Sequence, residues 1–425
     1  MSEPSEKRQV DQLLGHLFRH EAGKMAAVLT RYLGAEHFEV AQDLVQDTLL
    51  KAMETWPFHQ IPDNPSAWLY RVARNRAIDF MRSQQSQAKG KKNYEQEAER
   101  IFQLAFEEDE INDSVLRMMF ACCHPSIPQE SQIALTLKTL GGLSTSEIAQ
   151  AFLTNEEAIT KRLYRAKEKI RNENIRLEPP GMYELPNRLN SVLKALYLLF
   201  NEGYYSHHPS VHMREDLCEE AMRLTYLLVL HPSTCLPKVK ALLALMCLQC
   251  SRFDARATAS GEIVLMEFQD RSKWSRPLIE KGLQFLTAAS EGDQLSEYHI
   301  EAAIASVHAL APTWQQTRWS ELVKLYEALT TCKPGLMVAL NHAIAIGYAQ
   351  SPAAGIARLE KIQGLENNHL YLTALGNFHL LAQNHSQAEN YFNQALKAAT
   401  LPREIELIKS KLNQCTTQPA AKFEF

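Results

Sequence analysis

The chain has 425 residues, of which 45% are hydrophobic and 22% are charged. This length predicts two or three domains, and the composition is that of an ordinary globular protein. The opening MSEPSEKRQV is polar, and no uninterrupted apolar run reaches the length that crosses a bilayer. We therefore expect a cytoplasmic protein with no membrane partner. The eight cysteines are scattered, which favours reduced thiols over a disulfide framework.

Charge is distributed unevenly along the chain, although the net charge is only −4. Residues 70–92 carry seven basic side chains and one acid, and residues 161–171 carry six basic side chains and one acid. Residues 95–110, between these patches, carry seven acids and one arginine. Two basic patches are a usual footprint of phosphate-backbone binding, whereas a single basic run is more often a solvated helix face. The local pattern therefore favours a nucleic-acid partner, while the global charge does not.

Every long periodic segment predicts a helix, and no run of alternating β-branched residues predicts a strand. We expect an all-α fold. Two or three helices are predicted within residues 8–58, with a stop at Trp56 and Pro57. Asn64 is a good N-cap and is followed by proline, which is tolerated at the first helical position. A helix over 65–82 follows from this signal.

The predicted helix over 65–82 is amphipathic. Its apolar positions recur on one face, which carries Leu69, Val72, Ala73, Ala77 and Phe80. The cationic face carries Arg71, Arg74, Asn75 and Arg82. Trp56 and Trp68 are expected to pack behind these helices rather than to serve as exposed anchors.

Three further helices are predicted within residues 129–171. The second begins with a capping-box pattern at Ser144 and Glu147, and Asn155 caps the third. The third helix repeats apolar residues at helical spacing, at Ile159, Leu163, Ala166 and Ile170. Its outward positions are cationic, at Lys161, Arg162, Arg165 and Lys169. This is the geometry that places a recognition helix in the major groove, although an ordinary helical hairpin with a basic face has the same spacing.

Turn-rich segments divide the chain. A polar stretch over 86–110 predicts a linker, and prolines and a glycine within 177–186 predict a boundary. The predicted parts are a first helical module over 1–85, a second over 111–178, and a larger helical region over 187–425.

The N-terminal half resembles the extracytoplasmic-function (ECF) sigma factors of RNA polymerase. The resemblance is carried by three segments: AQDLVQDTLLKAMETWP (41–57), PDNPSAWLYRVARNRAIDFMR (62–82) and GLSTSEIAQAFLTNEEAITKRLYRAKEKIR (142–171). They look like region 2.2, regions 2.3 and 2.4, and region 4. The resemblance implies two partners, core RNA polymerase and promoter DNA, and a role in transcription initiation without covalent chemistry.

The resemblance also implies roles for individual residues. Asp43, Gln46 and Asp47 are expected to bind polymerase, and two of them are four apart on one helix face. Arg71, Arg74, Asn75, Arg76 and Arg82 are expected to bind the minus-ten element. Asn155, Lys161, Arg162, Arg165 and Lys169 are expected to bind the minus-thirty-five element.

The C-terminal half is similar to the tetratricopeptide-like extension of one ECF subgroup. The resemblance is carried by LFNEGYYS (199–206), REDLCEEAMRL (214–224), QDRSKW (269–274) and a long segment over 301–329. Within 371–400 the repeat pattern falls on Leu375, Gly376, Ala388, Phe392 and Ala395. This implies a regulatory region with an unknown ligand or protein partner, and we assign a regulatory motif to Asn201, Glu202, Gly203 and Tyr204.

Two features depart from the family pattern. Leu153 stands where the general family has a turn glycine, and His207, His208 and His212 form an unusually histidine-rich segment. Pro209 favours a loop there, so we expect no metal site and no cofactor. Cys247 and Cys250 lie in an apolar helical run and are expected to be buried core thiols.

Two other interpretations stay open. One is a helix-turn-helix regulator with a repeat-type sensor and no polymerase docking. The other is an enzyme housed in 187–425 that uses Glu202, Tyr204 and the histidines, although no recognised catalytic pattern occurs there.

Overall fold

The structure is a computed structural model of the full chain. It describes the following residues: 3–59, 61–85, 100–102, 104–152, 154–181, 183–205, 213–258, 264–292, 294–400 and 402–417. Across these ranges the regular secondary structure is helical and none of the residues lies in a β-strand. The all-α prediction is confirmed.

The chain packs into two compact units. The first comprises Met1–His207 and Met213–Thr234, and the second comprises His208–His212 and Cys235–Phe425. The first unit thus contains the start of the region predicted over 187–425. The predicted domain boundaries remain predictions.

The first unit begins with three long helices. They are α1 (Glu3–Leu33), α2 (Phe38–His59) and α3 (Pro65–Gln85), with a short 3-10 turn at Ala35–His37. Gly34 ends α1 with a φ of 98°, a conformation that favours glycine. The Asn64 side chain accepts a hydrogen bond from the Ala67 amide at 3.0 Å, so the predicted cap of α3 is confirmed.

The predicted stop at Trp56 and Pro57 is wrong, because α2 continues through Pro57 to His59. A proline inside a helix removes one backbone hydrogen bond to the preceding turn. Since the helix ends two residues later, the proline disturbs only the hydrogen bonds of its last turn. The Trp56 side chain, only 4% exposed, is meanwhile held in the core.

Four shorter helices follow. They are α4 (Glu108–Cys122), α5 (Gln129–Thr139), α6 (Thr145–Ala151) and α7 (Glu156–Asn172). The Ser144 hydroxyl and Glu147 carboxylate form the predicted capping box. The Asn155 side-chain oxygen accepts a hydrogen bond from the Ala158 amide at 2.8 Å. Gly142 makes the tight turn before α6 with a φ of 63°.

The last two helices of the first unit form a hairpin, α8 (Leu185–Tyr204) and α9 (Glu215–Leu230). Helix α8 packs along α5. Its buried apolar side chains are Leu189, Val192, Leu193, Leu196, Leu199 and Phe200. A Cβ at Gly141, just after α5, would lie 2.9 Å from the Leu199 side chain. The hairpin therefore covers an apolar surface of the second helical module.

The second unit is a run of helices in which neighbours along the chain pack together. They are α10 (Pro237–Cys250), α11 (Phe253–Arg256), α12 (Arg276–Ala289), α13 (Glu297–Leu310), α14 (Trp319–Cys332), α15 (Leu336–Ala349), α16 (Pro352–Leu359), α17 (His369–Leu381), α18 (His385–Ala398) and α19 (Pro402–Thr417). Two 3-10 turns lie at Met266–Phe268 and Arg271–Lys273.

Helices α17 and α18 meet at the small and apolar positions singled out in the sequence. Leu375, Ala388, Phe392 and Ala395 are buried there. A Cβ at Gly376 would lie 2.6 Å from the Phe392 ring, so the close approach requires glycine. These positions are confirmed as the contact between two helices.

The predicted core thiols are buried. Cys247 and Cys250 lie in the interior face of α10. Burial raises the pKa of Cys247 to about 12, so this thiol stays protonated and unreactive at neutral pH.

An aromatic cluster in the second unit encloses His308. Its ring lies 6.1 Å from the Trp314 ring and 5.7 Å from the Trp319 ring, between centroids. Its Nδ1 is buried, with no hydrogen-bond partner in the described ranges. Burial, and then the positive charges of Arg252 and Arg271, lower the pKa of His308 to about 3. The imidazole is therefore neutral in the folded state.

His308→Asn should weaken the acid sensitivity of the second unit. The unfolded chain binds a proton at this position below its ordinary pKa of about 6.5, whereas the folded chain does not until about 3. Folding stability should fall between pH 7 and pH 5, by about 2 kcal/mol at pH 5 from this residue. Urea denaturation followed by tryptophan fluorescence measures the difference. An equal loss in wild type and H308N contradicts the expectation, and H385N is the control histidine.

Removal of the α8–α9 hairpin should destabilise the second helical module. A chain ending at residue 180 exposes the apolar surface of α5 that α8 covers, whereas a chain ending at 234 retains it. We expect the shorter chain to melt more than about 10 °C lower or to aggregate, since several buried leucines contribute roughly 1.5–3 kcal/mol each. Circular dichroism melting and light scattering measure this. Equal melting of the two truncations contradicts the expectation.

Candidate nucleic-acid interface

The outer face of α2 carries the residues predicted to bind polymerase. Asp43, Gln46 and Asp47 are all exposed. Their exposure is consistent with a binding role, which stays a prediction. Asp47 also forms an ion pair of 2.9 Å with Arg76 on α3, which ties the two helices together.

Sequence analysis missed an apolar part of this face. Leu50 is 54% exposed and lies three residues after Asp47, and Met53 is 61% exposed and lies three residues after Leu50. Positions so spaced share one side of a helix. Exposed apolar side chains beside acids suit a protein partner better than solvent. The periodic spacing was the available signal.

The cationic face of α3 is only partly free. Arg71, Asn75 and Arg82 are exposed and Arg74 is half-buried. Arg76 turns to Asp47, and Arg82 lies 3.3 Å from Asp79. Among the described carboxylates none pairs with Arg71 or Arg74, so these two guanidinium groups have the most charge to offer a phosphate.

The two tryptophans pack as expected. The Trp56 ring lies 5.5 Å from Phe18 and 5.4 Å from Trp68, between centroids. Trp56 is buried and Trp68 is half-buried. The aromatic contact fixes the angle between α2 and α3, so it positions both exposed faces.

Helix α7 buries the predicted side. Ile159, Leu163, Ala166 and Ile170 are all buried. The helix has two glutamates in its first turn and basic residues in its last, which matches the helix dipole. The prediction of an amphipathic helix with an outward cationic face is confirmed.

Three of the four outward cations of α7 are paired with surface carboxylates. Lys161 contacts Glu157 at 2.6 Å, Arg162 contacts Glu130 at 2.7 Å, and Lys169 contacts Glu173 at 2.7 Å. The Arg162 guanidinium also lies 5.6 Å from the Phe152 ring. Arg165 is exposed, and no described carboxylate pairs with it.

Solvent-exposed ion pairs of this kind are weak, typically below about 1 kcal/mol. A DNA phosphate can therefore replace the carboxylate at little cost. The exposed edge of α7 is chemically suited to bind a nucleic-acid backbone, with Arg165 available without any exchange of partner.

The other edge of α7 faces α2. Lys167 Nζ lies 2.6 Å from Gln42 Oε1, and Arg171 lies 3.6 Å from Glu39. Burial lowers the pKa of Lys167, although Glu39 opposes the shift. Sequence reasoning did not predict this contact, because the two helices are more than 100 residues apart.

The predicted regulatory motif is largely interior. Glu202 and Tyr204 are buried, at 4% and 1% exposure, and the Tyr204 ring stacks on Phe200 at 5.6 Å. A Cβ at Gly203 would lie 2.8 Å from the Arg214 carbonyl oxygen. Asn201, at the same helix end, is half-buried. The motif lies at the end of α8 and contacts the start of α9 through Gly203 and Arg214, and its regulatory role stays a prediction.

Some predicted features lie outside the described residues. These are Leu153, His207, His208 and His212, together with most of the linker over 86–110. In the described ranges, no three His, Cys, Asp or Glu side chains are grouped so that they could hold a metal ion. A search of the same ranges finds no helix with the length and apolarity needed to span a bilayer.

Family models match three parts of the chain. Sigma-70 region 2 matches residues 17–87, and Sigma-70, region 4 matches residues 117–170. A family of unknown function (DUF6596) matches residues 188–290. The two sigma matches contain α2 with α3 and α6 with α7, respectively.

Several curated proteins are similar to the chain. An uncharacterized protein of Rhizobium meliloti (strain 1021) is 35% identical over 402 residues, covering 93% of this chain and 94% of its own length. The ECF RNA polymerase sigma-E factor of Haemophilus influenzae is 28% identical over 157 residues, covering 35% of this chain and 81% of its own length. The Escherichia coli (strain K12) protein of that name is 26% identical over 156 residues, with 35% and 80% coverage. No solved structure matches.

Both sigma-70 modules are thus present in the predicted order, each with an exposed polar face. The chain belongs to the same family as the Rhizobium meliloti protein, and it is an ECF-like sigma factor that joins core RNA polymerase and directs promoter recognition and transcription initiation.

Proposed function

We propose that the exposed face of α2 is the surface that docks on core RNA polymerase. Asp43, Gln46 and Asp47 supply the polar contacts, and Leu50 and Met53 supply the apolar ones. Charges at the edge of such a surface set the association rate and the orientation, while buried apolar side chains supply most of the affinity. The observation that carries this assignment is one helix face with both acids and exposed apolar residues.

Helix α3 binds the minus-ten element in this proposal. Arg71 and Arg74 hold phosphates, and the exposed Asn75, one turn after Arg71, hydrogen-bonds a base. Arg76 and Arg82 lie on the same helix and are paired with Asp47 and Asp79. Arg76 and Arg82 bind DNA phosphates once they have released these carboxylates.

Helix α7 binds the minus-thirty-five element. Lys161, Arg162, Arg165 and Lys169 form a cationic edge, and such side chains bind guanine edges and phosphates in the major groove. Asn155 caps the helix with its carbonyl oxygen and retains its amide group for DNA.

The C-terminal half is a tetratricopeptide-like extension of one ECF subgroup that regulates the sigma activity in the cytoplasm. Close packing of α17 and α18 around Gly376 and Phe392 supports the repeat assignment. Stacked helical hairpins expose a surface for a ligand or a protein. The chain performs no covalent chemistry.

Asp43→Lys with Asp47→Lys should weaken binding to core RNA polymerase more than about tenfold, because it reverses the charge of a docking surface that we propose to face basic side chains of the polymerase. The control E280K/E291K has the same change in net charge on exposed positions of the second unit. Biolayer interferometry with purified core enzyme measures the affinity. If the chain is instead a helix-turn-helix regulator without polymerase docking, the wild-type protein does not bind core enzyme. That result contradicts the proposal.

Arg165→Ala should lower the salt dependence of promoter binding by the holoenzyme. Loss of one phosphate contact reduces the slope of log K against log salt by about 1. Fluorescence anisotropy with a labelled promoter duplex at several salt concentrations measures the slope. The control K397A removes an exposed lysine of the second unit. Equal slopes for R165A and wild type contradict the assignment.

A further inference from the structure

A chain of alternating charges connects the two sigma modules through the start of α9. Arg214 pairs with Glu147, the capping residue of α6 in the second module. Arg214 also lies 3.3 Å from Asp216, and Asp216 lies 2.8 Å from Arg19 on α1 in the first module. The four side chains are 11–23% exposed, so they are shielded from most solvent and salt.

A second set of charges lies one turn further along α9. The Glu220 carboxylate is 2.6 Å from His20 Nδ1 and 2.7 Å from the Arg223 guanidinium. Its side chain is only 4% exposed. Burial opposes its ionisation, but hydrogen bonds from Arg223 and His20 lower the pKa of Glu220 to about 2. The carboxylate is therefore charged at neutral pH and holds α1.

The two contacts of the hairpin differ in character. Helix α8 meets the second module through buried apolar side chains, with Leu199 close to Gly141. Helix α9 meets the first module through polar contacts, the Arg19–Asp216 ion pair and the His20–Glu220 hydrogen bond. Separation of the apolar contact exposes hydrophobic surface to water, whereas separation of the charged contact lets both partners regain hydration.

The described arrangement places α7 directly against α2, through Lys167 and Gln42. Elements at minus ten and minus thirty-five are about 25 base pairs apart, which is about 85 Å of duplex. Helix α3, which binds the minus-ten element in the proposed function, packs on α2, so α3 and α7 in this arrangement do not span this distance. The modules must separate before both elements are bound.

We propose that the α8–α9 hairpin is a built-in clamp that stays on the second sigma module and holds the first through Arg19–Asp216 and His20–Glu220, so that polymerase binding requires its release. This inference rests on the proposed function, since it assumes that both modules engage the promoter together. The clamp acts beside the direct packing of α1 on α4. Loss of the clamp therefore lowers the population of the state in which the two modules are in contact, but does not abolish that state.

The test uses the full chain with Asp216→Arg, which places like charges opposite Arg19. Fluorophores at S83C and E157C, in a C235S/C332S background, report the separation of α3 and α7 by energy transfer. The six other cysteines are buried. We expect D216R to lower the transfer and to raise the affinity for core polymerase about fivefold, the effect of one partly buried ion pair. The control K194E reverses an exposed charge on α8 and should change neither.

The double variant R19E/D216R restores opposite charges between α1 and α9 and should return both measurements most of the way to wild-type values, because the Arg214–Asp216 pair is not restored. The milder R19Q removes the same pair from the other side and replaces D216R if that chain fails to fold. Unchanged energy transfer in D216R and R19Q, or no recovery in R19E/D216R, overturns the clamp. If wild type itself does not bind polymerase, the proposed function fails, while the energy-transfer measurement still decides the clamp.

Discussion

The close approach of α1 to the end of α5 is the constraint on which the first unit depends. A Cβ at Gly23 would lie 2.9 Å from the carbonyl oxygen of Leu140, so only glycine allows the two backbones to meet. Arg19 and His20 lie four and three residues earlier, on the same side of α1. The approach at Gly23 therefore presents both side chains to α9. A side chain at this position would separate the modules by pushing apart backbones rather than side chains.

Local rules predicted much of the fold because caps and helical periodicity act over a few residues. Ser144, Asn155 and Asn64 cap as predicted, and the buried positions of α7 follow from spacing alone. The stop at Pro57 was wrong because tertiary packing of Trp56 outweighs a local helix penalty. The sites themselves were predicted mainly from the resemblance of short segments to a family.

Contacts between distant segments were not predicted. They determine which side chains of the candidate surfaces already have an ion-pair partner within the chain. Arg76 and Asp47 were assigned to different partners, yet they pair with each other at 2.9 Å. Glu147 was predicted as a cap and also accepts from Arg214, 67 residues later. A single sequence does not show such pairs, because the local sequence around a charged side chain is the same whether or not a distant partner contacts it. The exposed Leu50 and Met53 were likewise missed, since burial depends on what packs against the helix.

Apolar and charged contacts have separate roles in the first unit. Packing of α1 on α4 and of α8 on α5 supplies most of the cohesion, because the removal of apolar surface from water is the largest favourable contribution. Ion pairs such as Arg19–Asp216 add little net stability after desolvation, but they fix which surfaces face each other. Glu220 illustrates the difference, because a buried carboxylate that needs hydrogen bonds from both Arg223 and His20 favours one docking geometry over others. Different residues therefore set how tightly the two modules associate and how they are oriented. A substitution among the charged residues alters the arrangement of the modules while their cores stay intact.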